Sequence, residues 1–112
     1  MYLRGVKTAF WSVFLLTLFL GTVYAEETFN IVIKNHEFSP GELKIPANQK
    51  VTIVIDNQDE TEEEFESYDL DREEIVGGNS QITVYIGPLK PGTYKYFGEF
   101  NQDTAQGTII VE

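Results

Sequence analysis

Hydrophobic residues recur at every second position over most of the chain beyond its first quarter. Phe29, Ile31 and Ile33 alternate with Asn30 and Lys34, and Leu43 and Ile45 with Glu42 and Lys44. Val51, Ile53 and Ile55 form a third such face, and Ile82, Val84 and Ile86 a fourth, closed by Gly87-Pro88. Tyr94 and Tyr96 follow the turn at Pro91-Gly92, and Ile109 and Val111 follow Gly107. A period of two places alternate side chains on opposite faces of a strand, so each segment predicts a strand with one buried and one wet face. Pro46-Ala47-Asn48-Gln49 supplies turn chemistry between two of them. Six or seven short strands at this spacing predict an all-β fold, a Greek-key antiparallel β-sandwich. No segment of this region shows the period of a long amphipathic helix.

The first quarter reads differently. Arg4 and Lys7 precede an uncharged apolar run, Ala9 to Leu20, which ends in Gly21-Thr22 and Val23-Tyr24-Ala25. That is the layout of a secretory signal peptide, so residues 1–25 are expected to be removed and residues 26–112 to form one domain in the periplasm. An uncleaved membrane anchor is the alternative, in which case the protein meets the membrane through this segment. Cleavage removes two of eight basic residues and none of the eighteen acids, so the charge moves from −10 to 6 − 18 = −12. So acidic a domain repels the phosphates of nucleic acid, which is excluded as a partner. The chain has no cysteine. Disulfides, thiolate metal sites, iron–sulfur clusters and cysteine nucleophiles are excluded with it.

One stretch interrupts the alternation. Eleven acids and a single base, Arg72, lie between Asp56 and Glu74. Phe65, Tyr68, Leu70, Ile75 and Val76 are interleaved among them. These predict a short strand from Glu64 to Tyr68, followed by an ordered, wrapped loop through Gly77-Gly78. Within that strand Glu64 and Glu66 share one face while Phe65 points inward. Two carboxylates on one face can chelate a hard cation through oxygen. Arg72 is expected to organise the loop through an ion pair. The single histidine cannot be placed beside Ser39, Ser67 or Ser80 by sequence, so no hydrolytic triad is indicated.

Phe38-Ser39-Pro40, Leu43-Lys44-Ile45-Pro46-Ala47 and Val51-Thr52-Ile53-Val54-Ile55-Asp56-Asn57 resemble the first half of a cupredoxin. Lys90-Pro91-Gly92-Thr93-Tyr94-Lys95-Tyr96 and Gly107-Thr108-Ile109-Ile110-Val111 resemble its last hairpin. Blue-copper members carry Cys, His and Met in that hairpin and a further His after the Asn57-Gln58-Asp59 segment. Here Gly98 stands at the Cys position and Asn101 at the His position, with Thr104 or Ala105 where Met would fall. A type 1 copper centre needs the thiolate and imidazoles, so that role is excluded.

Glu64-Phe65-Glu66, Arg72-Glu73 and Phe97-Gly98-Glu99-Phe100 with Asp103-Thr104-Ala105-Gln106-Gly107 resemble a narrower group, the EfeO-type cupredoxin domains. That group includes periplasmic proteins associated with ferrous-iron permeases. The resemblance implies a periplasmic accessory in iron acquisition, and the first reading of its role is a non-enzymatic metal-binding module. It would hold iron, or copper outside type 1 geometry, and serve an inner-membrane iron permease or a periplasmic iron-uptake protein. Its expected ligands are Glu64 and Glu66, helped by Glu99, His36 and Asp103. Two other readings stand beside it: oxidation of ferrous iron, or electron transfer, by bound copper or iron; and a metal-free domain whose acidic face docks a partner.

Overall fold

The computed structural model describes residues 27–112. The expected signal peptide lies outside the described residues, and among these no helix is long and apolar enough to cross a membrane. Among the described residues there are nine strands: β1 (Thr28–Lys34), β2 (Glu37–Ser39), β3 (Glu42–Ile45), β4 (Val51–Asn57), β5 (Glu63–Ser67), β6 (Arg72–Val76), β7 (Ser80–Ile86), β8 (Gly92–Gly98) and β9 (Gln106–Val111). A 3-10 turn, Glu99–Asn101, follows β8. The strands form two packed sheets, of order β2-β1-β4-β7 and β3-β9-β8-β5-β6.

The all-β sandwich expected from the alternation is present, with one correction. Both sheets are mixed, because β1 runs parallel to β4 and β3 runs parallel to β9. Two antiparallel hairpins account for part of the reason: β1 turns into β2 in one sheet, and β8 turns into β9 in the other. The chain crosses from β2 to β3 through Pro40-Gly41, so β3 enters the second sheet alongside β9 without a hairpin.

Alternation is realised most clearly in β4, where Val51, Ile53 and Ile55 are fully buried. Ile31, Ile33, Val84 and Ile86 join them from the first sheet; Leu43, Ile45, Phe65, Val76, Tyr96, Ile109 and Val111 face them from the second. Phe38, Phe65 and Tyr96 form an aromatic group at one end, with Tyr96 5.0 Å from each of the other two ring centroids. Burial pushes the Tyr96 phenol above its ordinary pKa. Gly107 lies flat against the Tyr96 ring, where a Cβ would collide with it.

The acidic stretch is more regular than expected. It forms a second strand, β6, which pairs with β5 in register as a hairpin in place of a wrapped loop. Asn57 explains how the chain reaches it. This residue is fully buried, and its Nδ2 lies within hydrogen-bond distance of the Thr61, Val76 and Gly77 carbonyls. Its Oδ1 accepts the Asp59 N–H at 3.0 Å. One amide thus ties the loop after β4 to the end of β6. Arg72, expected to pair with an acid, instead donates to the Tyr85 carbonyl at 2.6 Å and links β6 to β7 across the two sheets.

Candidate metal centre

Strand β5 sorts its acids by face. Phe65 points into the aromatic group, so Glu63 shares the inner face, while Glu64 and Glu66 lie on the outer face of the five-stranded sheet. In the β5–β6 register Glu66 stands directly opposite Glu73, so two like charges meet on one face. Such a cross-strand pair is destabilising unless something neutralises it. Glu99 opens the 3-10 turn and brings a fourth carboxylate. One oxygen from each of Glu64, Glu66, Glu73 and Glu99 lies within 4.8 Å of the others.

The electrostatics of this cluster are one-sided. Glu64 is 5 % exposed although it faces outward, because its neighbours cover it. A shared hydrogen bond with Glu73, then one with Glu99, and then burial push its carboxyl up to about 8. Glu66 is raised as well, chiefly by a shared hydrogen bond with Glu99 and next by burial. Its Oε2 is buried without any hydrogen-bond partner. Ionised carboxylates this close repel one another, so Glu64 and Glu66 hold their protons to higher pH unless a cation takes the protons' place. Hard cations bind carboxylate oxygen at about 2.1–2.6 Å, so ligands on opposite sides of one ion stand about 4.2–5.2 Å apart. The four oxygens, all within 4.8 Å of one another, are close enough to share one such ion.

Three of the five expected ligands, Glu64, Glu66 and Glu99, therefore converge. Glu73 is a member that sequence reasoning missed; the signal was available only through the hairpin pairing that sets it opposite Glu66. His36 and Asp103 are not part of the cluster. His36 sits in the β1–β2 turn with Asn35, both at positive φ (59° and 53°). The Asp59 carboxylate accepts the N–H groups of Asn35 at 2.8 Å and His36 at 2.9 Å, and the imidazole Nδ1 is 3.6 Å from Asp59 Oδ2. These N–H donors, the His36 one first, hold the Asp59 carboxyl below its ordinary value, with burial opposing them. Asp103 is exposed in the turn that precedes β9. Both border a shallow depression beside Glu99 and Asn101.

The inner face of the same strand is organised in the opposite way. Glu63 is 1 % exposed, and its Oε1 accepts the N–H groups of Glu64 at 3.0 Å and Phe100 at 2.9 Å. Its Oε2 accepts from Asn101 Nδ2 at 2.6 Å. A Cβ at Gly98 would stand 2.7 Å from Glu63 Cδ and 2.7 Å from the buried Ala105 Cβ. Gly98, Asn101 and either Thr104 or Ala105 are the positions that the cupredoxin resemblance sets against the blue-copper ligands. Here a carboxylate held by three N–H donors fills that pole. With no thiolate and no imidazole there, the residues present do not fit a type 1 copper ion.

The chain matches the sequence profile of the cupredoxin-like domain over residues 7–111. It is 52 % identical over 81 residues to the uncharacterized protein RP394 of Rickettsia prowazekii (strain Madrid E). That match takes in 72 % of this chain, which spans 65 % of the length of that relative. Among solved structures, auracyanin A, a "blue" copper protein of Chloroflexus aurantiacus, superposes with a TM-score of 0.68 at 19 % identity, over 79 % of this chain and all (100 %) of the other. A purple cupredoxin from Nitrosopumilus maritimus gives 0.59 at 21 % identity, over 75 % of this chain and 99 % of that one. The metal-binding domain of the Cu(I)-exporting ATPase CopA of Streptococcus pneumoniae D39 gives 0.65 at 11 %, over 76 % and 84 %. Identities this low speak to the fold alone.

Proposed function

This chain belongs to the cupredoxin-like domain family, and on that premise we propose that it holds a hard metal ion on the outer face of its five-stranded sheet and not at the family's inner pole. The ligands are Glu64, Glu66, Glu73 and Glu99. The observation that carries this reading is the buried, partnerless Glu66 Oε2 within a cluster of four carboxylates whose oxygens lie within 4.8 Å of one another. An oxygen-only donor set favours hard ions, and glutamate-rich sites hold iron in carboxylate-bridged proteins. Iron is therefore the metal of choice, with Cu²⁺ outside type 1 geometry as its competitor. Glu73 and Glu99 are exposed, which leaves the ion open on one side for transfer.

With an exported domain and the EfeO-type resemblance, this supports an accessory protein of iron acquisition. It would take up the ion in the periplasm and pass it to an inner-membrane permease or a soluble iron-uptake partner. Holding and release need no redox step. Anaerobic titration with Fe²⁺, alongside Mn²⁺ and Cu²⁺, tests the site. The Glu64→Gln/Glu66→Gln variant should lose affinity by at least the roughly 10- to 100-fold that loss of an outer partner costs a metal site. Equal Fe²⁺ affinity in variant and parent would remove Glu64 and Glu66 from the site.

A further inference from the structure

We infer that Glu63 is a positioning residue for the outer cluster. Its buried carboxylate clamps the 3-10 turn to β5 and so holds Glu99 against Glu64 and Glu66. The inference rests on the outer-face reading of the metal site. A single oxygen, Glu63 Oε1, accepts the N–H of Glu64 and the N–H of Phe100. The first belongs to a cluster member and the second to the residue that follows Glu99. The other oxygen accepts from Asn101 Nδ2, at the end of the same turn. The Asn101 carbonyl in turn accepts the Ala105 N–H at 2.8 Å, which returns the chain to β9.

Little else anchors the turn. Its N-terminus has no side-chain cap, and none of its three residues is buried. Phe100 is 47 % exposed and cannot fasten it by packing. Thr104 Oγ1 donates to the His36 carbonyl at 2.6 Å and lies 3.5 Å from the Asn101 carbonyl, a tether at the far end of the turn from Glu99. Gly98 completes the device, since any Cβ there would displace the Glu63 carboxylate or Ala105. The Glu63 side chain thus ties strand β5 to the turn after β8, while its strand neighbour Glu64 lies on the opposite face of the strand with the other cluster carboxylates.

The test compares three variants, with Glu64→Gln/Glu66→Gln as the control, by Mn²⁺ titration and by amide hydrogen exchange at Glu64 and Phe100 in the metal-free protein. Glu63→Gln keeps an oxygen for both backbone N–H groups, and rotating the Asn101 amide restores the third bond. It should bind Mn²⁺ within about threefold of the parent, whereas Glu63→Ala should bind about 10-fold or more weakly, the scale on which outer partners act. Asn101→Ala removes one bond without emptying the pole, which guards against a Glu63→Ala chain that does not fold. Exchange at Phe100 should accelerate by about 10-fold or more in both alanine variants, because the turn then opens locally. Parent-like exchange at Phe100 in Asn101→Ala and Glu63→Ala overturns the clamp, whatever happens to the metal. Parent-like Mn²⁺ affinity in both alanine variants, while Glu64→Gln/Glu66→Gln binds poorly, overturns the positioning role and leaves the outer site standing. Parent-like Mn²⁺ affinity in Glu64→Gln/Glu66→Gln sinks the outer site and the positioning role together, while the exchange rates still decide the clamp.

Discussion

Glu63 and Glu64 are adjacent in sequence and carry the same side chain, yet the fold gives them opposite chemistry. Glu63 turns inward and meets three N–H donors. Glu64 turns outward and meets the carboxylates of Glu73 and Glu99. A carboxylate surrounded by donors is satisfied, and its removal leaves orphaned N–H groups behind. Among other carboxylates it is frustrated, and either protons or a cation must relieve it. The difference teaches that burial alone does not mark a binding site, since both residues are buried. What distinguishes them is whether the neighbours donate or accept.

The two regions should therefore respond in opposite directions to loss of charge. Replacing Glu63 by leucine leaves the Phe100 and Glu64 N–H groups and the Asn101 amide without their acceptor, at about 1–3 kcal/mol for each buried group left unpaired. We expect the largest loss of stability here, about 3 kcal/mol or more in urea unfolding. Glu64→Gln removes a repelled charge and should leave the metal-free protein as stable as its parent, or more so, at pH 8. Equal losses in the two variants would erase the contrast.

A smaller effect follows from the direction of the shifts. The Glu64 carboxyl lies at about 8 in the folded protein against an ordinary 4.5, and Glu66 is raised in the same sense. Between these values the folded chain binds more protons than the unfolded one, so stability falls as pH rises. The contribution is fully present below about 4.5 and is lost as pH passes 8. Melting temperatures of metal-free protein should drop across this window, and saturating Mn²⁺ should flatten the profile by replacing the shared protons. A metal-free profile that is level or rising from pH 5 to pH 8 would contradict the cluster's electrostatics.

The smallest effect concerns a third carboxylate. Asp59, like Glu63, sits among N–H donors, but in a turn open to water. Its carboxyl is lowered, so its contribution is present above its ordinary 3.8 and disappears as pH falls further. Asp59→Ala should cost about 1 kcal/mol, the scale of one or two partly exposed hydrogen bonds. It should leave Mn²⁺ affinity unchanged, since His36 lies outside the cluster. A loss of metal binding in this variant would bring His36 back as a ligand.

Much of this was readable before the structure. The period of two located the strands that carry the core, because each needed one apolar face. It also placed Glu64 and Glu66 together, opposite Phe65. The same rule puts Glu63 on the inner face, but among eleven neighbouring acids nothing along the chain says that an inward one is satisfied. Its partner at Phe100 is 37 residues away. Glu73 escaped for a related reason: a stretch so acidic reads as a loop, whereas pairing with β5 makes it a strand and selects the face of each residue. The parallel pairings were hidden because a strand's alternation is the same whichever way its neighbour runs.

Alternation and composition by themselves determined an all-β chain, the absence of thiol chemistry and an outward pair of glutamates. These depend on local geometry and on residue types, which the chain states directly. Tertiary structure alone decided which acids meet. Register brought Glu73 opposite Glu66, the turn after β8 delivered Glu99, and three N–H donors closed the inner pole around Glu63. Proton retention arises from distances between oxygens, and those distances exist only once β5, β6 and the turn after β8 have come together.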